Sequence, residues 1–260
     1  MPAMQTIDRA ATVLRVLSDG DSGGLRLSDV AEATELGKST SLRLLGALGE
    51  VGYVEYDDNA KRYRLGYGLF ALGLSARRFH VLDQARTALD RLAKTTGDTV
   101  FLSVRDSDQA LCADRRTGPY PIRSLTLSIG DRRPLGVGAG SLALLAFEPD
   151  EEIDRVLATS ATERASFERF GNAALREMIT TTRRDGYSFN DGQIVNAMNA
   201  VGVPVLDPSG RVIAALSIAA IRERMEEPRR AELVALLQAE SRALGQRNTE
   251  KTERTTRADG

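Results

Sequence analysis

Residues 25–66, LRLSDVAEATELGKSTSLRLLGALGEVGYVEYDDNAKRYRLG, restrict the possible fold more than any other stretch of this chain. Leu27, Val30, Ala31 and Ala33 fall at the spacing of a short amphipathic helix. Ser28 is placed as its N-cap, because a serine hydroxyl can accept a backbone N–H that the helix leaves unpaired, with Ala31 and Glu32 in the first turn. A turn through Gly37 follows. Ser39 or Thr40 then caps a further helix, whose packing residues are Leu42, Leu44, Leu45 and Leu48. Tyr53, Val54, Tyr56, Tyr63 and Leu65 flank the turn residues DDNAK, the pattern of a two-stranded hairpin. Upstream, Ile7, Ala10, Ala11, Val13, Leu14 and Leu17 line one face of a first helix that ends in DGDSGG. Three short helices and a hairpin predict a winged helix-turn-helix over residues 1–67.

The tetrapeptide Gly37-Lys38-Ser39-Thr40 also closes a nucleotide-binding P-loop, and that reading fails. The loop needs a glycine five positions before Gly37, where Glu32 stands, and a strand leading into it, where a helical pattern stands. In a winged helix the same residues form the turn and the start of the recognition helix. Lys38, Ser39, Thr40, Ser41 and Arg43 would face DNA, where hydroxyls and cations suit phosphates and base edges. Arg62, placed at the hairpin tip, would reach the flanking minor groove or backbone, and Arg9, Arg26 and Ser28 complete the candidate DNA-contacting set. Taken singly, the hydroxyls could simply cap a solvent-facing helix; the surrounding fold favours DNA. A net charge of −1 gives no global sign of nucleic acid, but a small recognition domain needs only a local basic face.

The segment LGYGLFALGLSARRFHVLDQARTALDRLAKTTG is helix-periodic and lacks proline, which predicts a linker helix over 68–80 and a domain-opening helix behind it. Strands and helices then alternate over 81–247. TVFLSVRD and QALCADRR read as strands, and PIRSLTLSIGDRRPL as a third leading into the Gly-rich bend GVGAGSLALLAF. DEEIDRVLATS and NAALREMITTTRRDG read as helices, AVGVPVLD and RVIAALSIAAI as strands joined by PSG, and PRRAELVALLQAESRALGQR as a last helix. The polar tail 248–260 has no apolar stripe and is predicted to be disordered.

The composition, 42% hydrophobic and 27% charged, is that of a globular chain. A single cysteine, Cys112, rules out an internal disulfide, and a single histidine, His80, removes most zinc sites and histidine-dependent triads. No cofactor fingerprint or paired-carboxylate signature is present. No cofactor, no metal, no membrane partner and no enzymatic activity are expected. The start MPAMQTIDRAATVLRVL lacks the blocks of a signal peptide, so the expected location is cytoplasmic.

The fragments IDRAATVLRVL, LRLSDVAEATELGKSTSLRLLGALGEVGYVE, RYRLG, LDRLAKTTGDTVFLSV, RPLGVGAGSLALLA, RRDGYSFNDGQ and GVPVLDPSGRVIAALSIAA, in this order, resemble an IclR-family transcriptional regulator over nearly the whole chain except the tail. The resemblance implies an α+β architecture: an N-terminal winged helix-turn-helix, a linker helix and a C-terminal GAF-like effector domain with a curved antiparallel sheet. It further implies double-stranded operator DNA and a small-molecule effector as partners, self-association as a dimer or dimer of dimers, and control of catabolic genes, here expected to be repression. The main alternative is a metabolite-binding protein or enzyme built on the C-terminal domain; a third is a constitutive DNA binder without a ligand.

The family's pocket positions carry over residue by residue as implications of that resemblance. Where members that bind small polar acids have an acidic residue after the Gly-Tyr pair, this chain has Asn190, with Asp191 next to it. Ala200 stands where a cysteine is common, with Met198 two residues before. Ser217 is kept, and Ala219 replaces a second serine. The glycine-rich loop contributes Gly136, Gly138, Ala139, Gly140 and Ser141. These departures remove polar groups and one charge, so the expected effector is aromatic or otherwise partly apolar, with an acid-like end. Backbone N–H groups near Gly138 to Ser141 could receive that end, or the glycines could serve only tight helix–sheet packing. Arg105, Arg115 and Arg123 could line the pocket or be solvated, and Cys112 reads as a buried small hydrophobe.

Overall fold

The computed structural model describes residues 2–20, 23–75, 80–124 and 126–258. The chain divides into two units, residues 1–78 and 79–260.

In the first unit α1 (Pro2–Asp19), α2 (Leu27–Ala33) and α3 (Lys38–Glu50) precede a hairpin of β1 (Val54–Asp57) and β2 (Arg62–Leu65), and α4 (Tyr67–Ser75) follows. Val13 and Leu17 of α1, Val30 of α2, Leu45 and Leu48 of α3 and Val54 of β1 form the buried core. Leu25 and Tyr63 exchange backbone hydrogen bonds of 2.9 and 2.7 Å, which adds a one-residue third strand to the wing. Gly24 permits it: its φ is +77°, and a Cβ there would lie 2.5 Å from the Tyr63 carbonyl oxygen.

Four local expectations change here. The buried stripe of α3 is Ser41, Leu45 and Leu48, spaced i, i+4, i+7, so Leu42, one position off it, is rotated about 100° away and exposed. In α1, Ile7 is likewise exposed. Helix α2 begins after Arg26, not Ser28, because the Asp29 carboxylate reaches back to accept the Arg26 N–H at 3.1 Å. The turn into α3 is made by Glu35 in the left-handed region (φ 54°), while Gly37 is extended and is itself the N-cap in place of Ser39 or Thr40.

The second unit is built on a six-stranded, wholly antiparallel sheet of order β5-β4-β3-β8-β7-β6. Its strands are β3 (Thr99–Asp106), β4 (Gln109–Thr117), β5 (Arg132–Pro134), β6 (Ser188–Asp191), β7 (Met198–Leu206) and β8 (Val212–Ile221). Period-2 alternation sends Val100, Leu102, Val104, Val201, Val203, Leu216 and Ile218 to one face. There they pack on α5 (His80–Thr96) and α10 (Arg229–Ala258) through Leu89, Leu92, Leu233 and Leu237. The other face carries α6 (Ala139–Ala146), then α7 (Asp150–Thr159), a short α8 (Ala161–Arg164) and α9 (Asn172–Asp185). Helix α6 is apolar all round and every residue of it is buried, with Leu142 to Ala146 joining Leu157, Phe170 and Leu175 in a second core. Gly202 of β7 lets α6 approach: a Cβ there would stand 2.7 Å from the Ala139 carbonyl.

Three expectations are corrected in this unit. PIRSLTLSIGDRRPL is mostly a connecting loop, with only Arg132–Pro134 in a strand. The strand Ser188–Asp191 is an addition to the expected elements: its four residues, set off by one residue from the α9-ending Gly186 (φ 75°), carry too little periodicity to register. The last helix runs through Ala258 instead of giving way to a disordered tail after residue 247. NTEKTERTTRA holds no glycine or proline to stop it, and its Glu, Lys, Arg and Ala residues are good helix formers.

Candidate nucleic-acid interface and ligand pocket

The exposed face of the first unit is where DNA contacts were expected, and most of the named residues lie on it. Lys38, Ser39 and Arg43 of α3 are exposed and Thr40 is half-buried, beginning at an N-terminus that no side chain caps. Arg9 of α1 and Arg26 at the start of α2 are exposed. Ser28 is exposed too, with its hydroxyl donating to Asp29 Oδ1 at 3.0 Å. The hydrogen bond from the Arg26 N–H, then that from Ser28, hold the Asp29 carboxyl below its usual range.

Two residues depart from the expected surface. Ser41 is fully buried on α3 and its Oγ has no hydrogen-bond partner among the described residues, because it sits on the core stripe with Leu45 and Leu48. Arg62 is not at the hairpin tip: it pairs with Asp57 at the start of β2, and its Nη1 donates to the Gly24 carbonyl at 2.5 Å, tying the wing to the body. The cation at the tip is Lys61, exposed and 3.8 Å from Asp58. The hairpin register, once DDNAK is counted as the turn, was the signal that pointed to it.

In the second unit a cavity with roughly 630 Å³ of empty space, counting its open mouth, lies between the sheet and the N-terminus of α6. The ladder brings several expected residues into one row: Asn190 opposite Ala200, and Ala200 opposite Ala219. All three line the cavity, with Met198, Ser217, Gly138, Ala139, Gly140 and Ser141. Asp191 is exposed, as the next residue along a strand must point the other way. Gly136 does not line the cavity; its φ of +93° and a Cβ position 2.9 Å from Leu175 mark it as a packing glycine. Ser141 lines the cavity but its Oγ is engaged, accepting the Gly136 N–H at 3.0 Å and donating to the Pro134 carbonyl at 3.1 Å.

The α6 N-terminus presents donors. Its N-cap is Gly138 at φ 91°, and no side chain caps the helix, so the first-turn N–H groups, on residues Ala139, Gly140 and Ser141 that line the cavity, have no intrahelical partners. Around it converge the hydroxyls of Ser103 and Ser217, each 3.0 Å from where a Cβ on Gly140 would be. The apolar wall comes from Phe101, Cys112 and Ala219 with Leu127 and Ala200. Burial pushes the Cys112 thiol up to about 11, so at neutral pH it is an uncharged part of that wall.

Arginines enter differently from expectation. Arg105 pairs with Glu148 and Glu152 outside the cavity, Arg123 is exposed, and Arg115 donates to the Leu127 carbonyl at 2.7 Å without lining the cavity. Arg133, the half-buried second residue of β5, does line it and was missed, together with Ser103, Ser124 and Thr126. Among the described residues no group of His, Cys, Asp and Glu is arranged to hold a metal ion.

Both halves match known sequence families. Residues 6–58 match the IclR helix-turn-helix domain, and residues 74–246 match the bacterial transcriptional regulator IclR C-terminal domain. The chain belongs to the IclR family. It is a DNA-binding transcriptional regulator of mixed helix and sheet, from a family of regulators and not of enzymes, whose C-terminal domain binds small-molecule effectors. It is 32% identical over 252 residues to the glycerol operon regulatory protein of Streptomyces coelicolor, covering 93% of this chain and 95% of that protein. The Thermotoga maritima IclR structure superposes with a TM-score of 0.72 at 26% identity, over 94% of this chain and all (100%) of that one. An IclR homolog from Microbacterium hydrocarbonoxydans, solved in complex with 4-hydroxybenzoate, superposes at 0.74 with 23% identity, over 92% and 97% of the two chains; at that identity the likeness speaks for the fold. No helix among the described residues is long and apolar enough to cross a membrane.

Proposed function

We propose that this regulator is a cytoplasmic repressor that binds an inverted-repeat operator as a dimer, or a dimer of dimers, and leaves it in response to a partly apolar, aromatic acid-like effector. Residues 1–67 serve DNA binding, 68–80 link, and 81–247 bind the effector. Lys38, Ser39, Thr40 and Arg43 read the major groove, while Arg9, Arg26 and Lys61 contact phosphates. Self-association of the first unit is supported by the exposed Tyr67, Phe70 and Leu72 of α4, an apolar surface that a second copy would cover. Two copies related by a two-fold axis would present two recognition helices, hence an inverted repeat.

The effector class is carried by one observation: the cavity combines an apolar wall of Phe101, Cys112, Leu127, Ala200 and Ala219 with the hydroxyls of Ser103 and Ser217 beside the α6 N-terminus. That arrangement suits a flat apolar body with one polar end. The Microbacterium homolog, whose ligand is 4-hydroxybenzoate, has a fold able to hold such an acid.

Fluorescence anisotropy on the DNA upstream of this protein's own gene, at two salt concentrations, tests the reading. A specific complex should outcompete random DNA, weaken with salt through counterion release, and dissociate on adding benzoate-type acids. Binding no tighter than to random DNA at every site tried, or release by glyoxylate or pyruvate alone, would overturn the operator or effector half respectively.

A further inference from the structure

We propose that Arg133 is the residue that selects the effector's charge: it pairs with an ionised carboxylate lying against the N-terminus of α6, while the effector's apolar body extends toward Phe101 and Ala219. This rests on the effector-pocket reading above and deepens it by naming the side chain that recognises the acid end.

The first support is charge. Arg133 is the only charged side chain lining the cavity among the described residues, and no Asp or Glu lines it. Its guanidinium makes no ion pair within 4.0 Å among the described residues. Asp131 acts on it through its charge without forming an ion pair, and spends one carboxylate oxygen on the Ser128 N–H at 2.7 Å. Arg133 is instead bonded to a neutral group, its Nη2 donating to the Thr126 carbonyl at 2.7 Å. A partly buried cation with no directly paired counter-ion favours an arriving anion, since each gains the partner that burial denies it.

Position is the second support. Nη1 of Arg133 lies 3.6 Å from the point where a Cβ on Gly138, the N-cap of α6, would stand. The guanidinium therefore flanks the uncapped N–H groups of the first turn, and the two act on one anion. Ser124, nearly fully buried and lining the same cavity, has an Oγ without a hydrogen-bond partner among the described residues, a further polar atom that a ligand could engage. A single positive charge, with apolar walls on the remaining sides, balances a monocarboxylate. A phosphate near two negative charges would be left half unpaired.

Arg132 and Arg133 stand together in DRRP, and residue type alone does not separate them. Only the register Ala110 opposite Arg133 sets the second inward and leaves Arg132, paired with Asp106, outward.

The test is calorimetric titration of the full chain and its Arg133→Gln and Arg133→Lys variants. The ligands are two matched pairs, benzoate with benzamide and pyruvate with pyruvamide. Gln keeps a donor for the Thr126 carbonyl, so the loop it holds is preserved, and the melting temperature of each variant checks folding. The wild type should prefer the acid to its amide. Arg133→Gln should weaken the acid roughly 10- to 100-fold, the effect of one charge-assisted hydrogen bond or pair, and change the amide less than about threefold, with Arg133→Lys in between. Equal binding of acid and amide by the wild type, or an equal fall for both in Arg133→Gln, overturns the role of Arg133 and leaves the pocket reading standing. Arg133-dependent binding of pyruvate without benzoate keeps the role and overturns the aromatic reading. No binding of any of the four by the wild type overturns both.

Discussion

Single positions show how closely α6 is packed, and two glycines, Gly140 lining the cavity and Gly202 on β7 against the start of α6, make opposite predictions. A Cβ on Gly140 would meet the hydroxyls of Ser103 and Ser217 at 3.0 Å, and hydroxyls can rotate aside. Alanine in the first turn of α6 also gains up to about 1 kcal/mol of helix propensity over glycine. Gly140→Ala should therefore melt within about 2 °C of the parent while binding effector on the order of tenfold more weakly, because the methyl group occupies the polar end of the cavity. At Gly202 a Cβ would stand 2.7 Å from the backbone of Ala139, which cannot turn away. Gly202→Ala should cost about 2 kcal/mol or more, seen as a lower denaturant midpoint, before any effect on ligand is measured. Equal stability of the two variants would show that α6 does not press on β7 as closely as the geometry requires. The same scale explains which residues could be read in advance. Asn190, Ala200 and Ala219 were grouped through a family pattern and fall in one ladder row. The chemistry of a hydroxyl suits Ser41 to phosphates and base edges, yet one helical step separates it from its exposed neighbours and puts it in the core. A side chain's face is decided by a 100° rotation, which residue type alone does not report.

At the scale of elements, the second unit is pinned by a charge cluster that no periodicity reveals. Asp98, its side chain 1% exposed, stands between α5 and β3 and accepts from Arg224 Nε at 2.8 Å and Arg229 Nη2 at 2.5 Å. Both arginines also donate to the Thr96 carbonyl at 2.9 Å, and Arg224 stacks over the Tyr120 ring at 3.8 Å. One carboxylate thus joins the end of α5, the first strand of the sheet, the turn after β8 and the first residue of α10. Removing it leaves two partly buried guanidinium groups facing each other without a counter-charge. Asp98→Ala should lose about 3 kcal/mol, read as a melting temperature lower by roughly 6–12 °C for a domain of this size. Asp98→Asn, which retains an acceptor oxygen, should lose less. A loss under about 0.5 kcal/mol for the alanine variant would mean that solvent already screens the cluster. Strands β3, β4, β7 and β8 were legible because alternation is strong in buried sheets. The long β4–β5 connection was mistaken for a strand because SLTLSI imitates that alternation: Leu127 is turned in to the cavity wall, while Ile129 is exposed.

For the molecule as a whole, the order of patterns shows a winged helix followed by a sheet domain: three helical stripes and a hairpin up to residue 67, helical periodicity onward through Thr96, and alternation of period 2 from Thr99. What sequence could not supply is how occupancy of one unit alters the other, because coupling is a free-energy difference between states and not a property of either unit. Its sign and size can still be predicted to obey reciprocity. If an effector lowers operator affinity by some factor, operator must lower effector affinity by the same factor, because both paths close one thermodynamic cycle. A regulator of this kind should show a factor of roughly 5 to 150, the range of typical coupling energies. Titrating effector into the full chain, free and then saturated with operator duplex at constant salt, gives one factor. Titrating operator with and without saturating effector gives the other. Agreement within error, with both factors well above one, is the expected outcome. Two factors of one would mean that the ligand binds without any difference in affinity between the DNA-competent and DNA-incompetent arrangements, and such a ligand shifts no population however tightly it binds. The cavity would then belong to a molecule other than the one that controls the operator.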